Sequence, residues 1–108
     1  MKKLIYCKVF FEATHQWLNC DIDEVIYLKN EHRHIFNIKA YKTVFHNDRD
    51  IEFIVLKHNI EKYLINKFPD RKLKNLSCEM IAEDLIEKFD LVRCEVSEDG
   101  ENGVILEV

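Results

Sequence analysis

Every second residue from Ile5 to Ala13 is apolar: Ile5, Cys7, Val9, Phe11 and Ala13. Successive side chains of a β-strand point to opposite faces, so this alternation predicts a strand, from about Lys3 to His15, with one buried side. The residue that closes the run in phase is not apolar but His15. A strand with one apolar face must be covered on that face, and this commits the chain to a sheet with a layer packed against it.

A second alternating run is predicted from about His32 to His46. His32, His34, Phe36, Ile38 and Ala40 share one side, and Arg33, Asn37 and Lys39 take the other. Both strands therefore carry histidines on their apolar faces. The connection from Gln16 to Glu31 is long for a hairpin, which marks it as functional, and Val25-Ile26-Tyr27-Leu28 is apolar enough to pack.

The period then changes. From Glu52 to Phe68, the residues Phe53, Leu56, Ile60, Leu64 and Phe68 recur at helical spacing, and Pro69 helps to end the segment. A second helix is expected to start at Ser77, a good N-cap, with Glu79 in the first turn and Ile81, Leu85 and Phe89 as its inner stripe. Two short strands follow, with Val92, Cys94, Val96 and Glu98 sharing a face of one and Val104, Leu106 and Val108 a face of the other. Asp99 to Gly103 is the expected turn between them. The predicted order is ββααββ: an α+β domain, an antiparallel four-stranded sheet with two helices on one face.

At 108 residues this reads as one domain, residues 1–108, and 47% hydrophobic content is ample for a core. A net charge of −4 argues against nucleic acid as the main partner. No apolar run approaches the roughly 18 residues a membrane span needs, and Met1-Lys2-Lys3 leads into the first strand without a cleavage motif, so a cytoplasmic protein is expected. The four cysteines (Cys7, Cys20, Cys78 and Cys94) form no C-x-x-C pair and are expected to be reduced and mostly buried.

If the first two strands pair antiparallel, the end of one lies beside the start of the other. His15 sits at the first of these ends, and His32 and His34 at the second. Three imidazoles with a free fourth position are the usual make-up of a catalytic zinc site. An H-x-H on a strand is weak evidence by itself, so the residues alone leave two readings open, a three-histidine zinc site and three structural histidines. His46 and His58 have no such partners and read as surface or supporting residues.

Several segments together resemble the 6-pyruvoyl- and 6-carboxytetrahydropterin synthases. Phe11-Glu12-Ala13-Thr14-His15 resembles their F-x-A-x-H, and His32-Arg33-His34 their H-G-H. Ile51-Glu52-Phe53 is similar to I-D-F, Leu56-Lys57 to L-K, Ser77-Cys78-Glu79 to T-x-E, and Val96-Ser97-Glu98-Asp99 to V-x-E-T, with Gly103 at the usual distance. The match runs in order over nearly the whole chain. The resemblance implies the T-fold (tunnelling fold), subunits assembled as trimers or hexamers with sites between them, and Zn2+ held by His15, His32 and His34. It implies that Glu98 anchors a pterin through its amino-pyrimidine edge, where a carboxylate accepts two parallel N–H bonds. The expected partner is a small pterin- or purine-like ligand, in a homo-oligomer, with neither nucleic acid nor membrane.

The sequence departs from the family pattern at its proton-transfer groups. No cysteine stands a few residues before His32, where Ile26-Tyr27-Leu28-Lys29-Asn30-Glu31 is found, and Cys20 lies earlier in the loop. The family's D-H pair is Asp70-Arg71 here, and the glycine of H-G-H is Arg33. One expectation is a divergent zinc-dependent lyase acting on a dihydroneopterin triphosphate-like substrate, with Glu31 and Asp70 as the catalytic candidates and Cys20 or Tyr27 as other recruits. The alternatives are a pocket that binds a pterin, purine or nucleotide-like ligand without turnover, and a structural zinc oligomer.

Overall fold

The first alternating run forms β1 (Leu4–His15) in the computed structural model of the chain, which describes residues 1–108. It is followed by a short 3-10 helix (Asp23–Lys29), β2 (His32–Thr43), α1 (Phe53–Lys67), α2 (Cys78–Phe89), β3 (Arg93–Glu98) and β4 (Asn102–Glu107). The strands form one antiparallel sheet in the order β1-β2-β3-β4. The architecture is α+β, with the helices packed on the sheet.

The alternation decides which face is covered. Cys7, Val9, Phe11 and Ala13 of β1, Phe36, Ile38 and Ala40 of β2, and Cys94 and Val96 of β3 all turn to the helices and are buried. Leu56, Ile60 and Leu64 of α1 and Cys78, Ile81, Ala82 and Leu85 of α2 close the same core. Phe53 does not join its expected stripe; it lies in the first turn of α1 and is 51% exposed. Both helices are capped by the residue before them, with Glu52 accepting from the Ile54 N–H and Ser77 from the Met80 N–H.

Two boundaries and one loop differ from the sequence reading. β2 stops at Thr43 rather than His46, because Leu4↔Thr43 is the last pair β1 offers and only Val44 N–H reaches further, to Lys3 O. The β3–β4 turn is shorter than Asp99–Gly103: Asn102 already pairs with Glu98, and Gly103 with Ser97. Asp99 and Gly100 have φ of 57° and 72°, and Glu101 N–H donates to Glu98 O at 3.0 Å. Asp-Gly is a favoured dipeptide for such a turn. In the β1–β2 connection, Val25 to Leu28 do not pack into the core; none of the 3-10 helix is buried. Cys20 anchors that loop instead, 1% exposed, with its thiol donating toward Val25 O.

One further connection positions the site. The segment between the helices lies against the end of β1: Thr14 N–H donates to Arg71 O, Leu73 N–H to Thr14 O, and Gln16 N–H to Lys74 O. Leu73 is buried beneath it. This brings Leu76 and the start of α2 beside His15. No helix is long and apolar enough to cross a membrane.

Candidate metal centre

The register of β1 and β2 makes His15↔His32 the terminal cross-strand pair and Ala13↔His34 the next on the same face. The three rings meet edge to face, with centroids 4.5 Å apart for His15–His32, 5.3 Å for His15–His34 and 5.0 Å for His32–His34. They rest on Phe36, fully buried, whose ring lies 5.0 Å from His15 and 5.7 Å from His34. Phe36 in turn pairs with Glu98 on β3, which places that carboxylate on the same side. Glu98 Oε2 lies 2.9 Å from His15 Nε2 and 3.6 Å from His34 Nε2.

Each ring is held at its other nitrogen. His15 Nδ1 donates to Leu76 O at 2.9 Å, His32 Nδ1 to Asn30 O at 2.8 Å, and His34 Nδ1 to Asp99 Oδ2 at 2.7 Å. A carbonyl or an ionised carboxylate can only accept, so Nδ1 must carry the proton in all three neutral rings and Nε2 its lone pair. All three Nε2 atoms are buried; those of His32 and His34 have no hydrogen-bond partner, and that of His15 faces only the Glu98 carboxylate. One ligand atom from each of His15, His32, His34 and Glu98 lies within 4.8 Å of the others.

Lone pairs and a carboxylate turned on one point repel unless a cation or a proton sits among them. The donor set therefore fits a metal ion, and the fixed Nδ1–H bonds are the outer contacts that orient histidine ligands. Without a metal, a proton takes that place. Burial opposes a charge on His15, but Glu98 and the Leu76 carbonyl outweigh it and raise its pKa. The His15 imidazole in turn holds the Glu98 carboxyl below the ordinary carboxylate range, against the opposing effect of its own burial.

The centre stands at the side of a cavity of ≈ 490 Å³. His15, His32 and Glu98 line it together with Trp17, Leu28 and Met80, which are apolar, and residues 75–79, which lead into α2. Cys78 is among these, and burial first, then the Glu98 and Glu79 charges, pushes its thiol up to about 12.

The structure thus brings together His15, His32 and His34, and it sets Glu98 beside their Nε2 atoms as well as in the cavity wall. It does not bring Glu31 or Asp70 to them. Neither lines the cavity. Glu31 is exposed and immediately precedes His32, where strand alternation turns neighbouring side chains apart. Asp70 is exposed, and its Oδ1 accepts from Lys72 N–H in a local turn at 3.1 Å. Tyr27 is 63% exposed, and Cys20 is buried in its own loop. Arg33 faces away from the metal donors and pairs with Glu12 on the opposite face. Sequence reasoning missed Asp99, Leu76 and Asn30 as the groups that orient the rings; two of these act through backbone carbonyls, which no side-chain pattern reveals.

No known family model matches the chain, and no curated protein matches it in sequence.

Proposed function

We propose that the chain is a divergent T-fold protein that holds Zn2+ through His15, His32 and His34 and binds a flat amino-heterocycle, a pterin or purine, in the adjoining cavity. The observation that carries this reading is the convergence of three buried Nε2 atoms, none of them facing a protein donor, whose Nδ1 protons are already committed. The choice of zinc rests on the donor type, neutral imidazoles with a carboxylate at hand. Bound there, zinc supplies Lewis-acid polarisation of a ligand oxygen.

The chain's own residues divide the remaining work. Glu98, at the junction of metal donors and cavity, accepts the N–H edge of an amino-pyrimidine. Trp17, Leu28 and Met80 offer apolar surface to the ring faces and exclude water from them. The T-fold assembly is supported by the sheet itself: its outer face leaves Phe10, Ile35 and Ile105 exposed, and β1 and β4 each keep one unpaired edge, the condition under which sheets join between subunits.

A lyase acting on a dihydroneopterin triphosphate-like substrate is the second reading. It is favoured by Glu79, a carboxylate in the cavity wall, which neither Glu31 nor Asp70 lines.

Metal analysis of the purified protein is expected to give about one zinc per chain, lost in His15→Ala. Calorimetric titration of the zinc form with neopterin and guanine should then show binding that Glu98→Gln weakens. Incubation with dihydroneopterin triphosphate separates the two readings, since release of triphosphate supports the lyase and binding without product the ligand module. No zinc uptake by the wild-type chain would overturn both.

A further inference from the structure

We infer that Asp99 is the positioning residue of the centre: it fixes the His34 tautomer and so keeps Nε2 free to coordinate. The inference rests on the metal reading of the three histidines. His15 and His32 are held through backbone carbonyls, whereas His34 depends on a side chain, Asp99, at 2.7 Å.

Asp99 is itself fixed from several directions. Its Oδ1 accepts from Ile35 N–H at 2.8 Å, and its own N–H donates to Ile35 O at 2.9 Å. Ile35 is the residue after His34, so the carboxylate spans the backbone of the very strand whose ring it orients. The left-handed φ of 57° at Asp99, next to Gly100, bends the turn back over β2 and brings the carboxylate to His34. Glu98 and Asp99 thus reach the same imidazole from opposite edges, Glu98 near Nε2 and Asp99 on Nδ1. One oxygen of Asp99 secures the strand and the other sets the ring. Both bonds require acceptors.

An amide in this place has only one acceptor. In Asp99→Asn the Oδ1 retained by Ile35 N–H leaves an NH2 group facing His34 Nδ1. A donor there favours the tautomer with Nδ1 bare and Nε2 protonated, and a protonated Nε2 cannot bind a metal. Asparagine tolerates the left-handed backbone about as well as aspartate, so the turn itself is expected to persist.

Two readouts test this. The tautomer of His34 is read from its ring 15N shifts in metal-free protein, at a pH where the ring is neutral. The dissociation constant for zinc alone is measured by competition with a chelator. Wild type is expected to show Nδ1–H, and Asp99→Asn to show Nε2–H with zinc binding weakened roughly 10- to 100-fold. A purely structural role for Asp99 would lower stability without changing the tautomer. An unchanged tautomer, or an unchanged dissociation constant, overturns the inference. Because the tautomer is read without metal, it decides on Asp99 even if the wild-type chain takes up no zinc, a result that would sink the metal reading instead.

Discussion

His15 and His32 are direct cross-strand partners, the last pair of the β1–β2 ladder, and their ring centroids lie 4.5 Å apart. The donors of the centre are therefore held by the sheet, with the long Gln16–Glu31 connection leaving from their backbone ends. A site on paired strands is preorganised, so metal binding should stabilise the fold as a whole. With free zinc at about 100 times its dissociation constant, linkage adds about 2.7 kcal/mol to the unfolding free energy. His32→Ala is expected to remove nearly all of that gain, measured as the zinc-dependent change in urea unfolding.

Phe36 supports both the core and the centre, being fully buried with the His15 and His34 rings edge-on against it. Phe36→Ala should cost about 3–5 kcal/mol of stability in metal-free protein. It should also loosen zinc binding, since the rings lose the surface that fixes their tilt. Denaturant unfolding and a zinc titration on the same variant check the two effects separately.

On the outer face of the sheet, Glu95 accepts from Tyr41 OH and from the Arg93 guanidinium, and these partners lower its pKa, the tyrosine bond contributing most. A carboxylate with a depressed folded pKa contributes stability that is fully present above its unfolded value, about 4.3. That contribution is lost as pH falls through the folded value. The stability difference between wild type and Glu95→Gln should hold from pH 7 to 5 and shrink progressively once pH falls below about 4.3, measured by urea unfolding of the metal-free proteins.

Burial raises the thiols of Cys78 and Cys94 to about 12, and all four cysteines are free and buried. Since the thiolate is the nucleophile, native protein at pH 7.5 should resist iodoacetamide at both positions. Labelling in urea should modify all four, read by intact mass and peptide mapping. Rapid native modification of Cys78 would mean that the cavity wall opens far more than its packing implies.

Period-two and helical spacing in the sequence were enough to place four strands and two helices, because burial on one face dictates which residues can be apolar. The phase of His15 with Phe11 and Ala13, and of His32 with Phe36, made the convergence of the rings legible before any tertiary information. Glu98 was legible only through its resemblance to a motif and its phase with Val96. Other features had no local signature. The end of β2 depended on where β1 ran out of partners, and the burial of Cys20 in place of Val25–Leu28 depended on how the long loop folds on itself.

What the chain determines by itself is therefore the alternation that puts three imidazoles on the covered face of two strands. Register and turn geometry, which only the tertiary structure decides, aim Nε2 of each ring at one point by occupying each Nδ1 with Leu76 O, Asn30 O or Asp99. The reason is physical: spacing along a strand fixes the face of a side chain, while the rotation and tautomer of an imidazole are set by hydrogen bonds from residues up to 65 positions away. The same distinction removed Glu31 and Asp70 from the cavity wall, since sequence proximity to a ligand or a motif says nothing about which way a carboxylate turns.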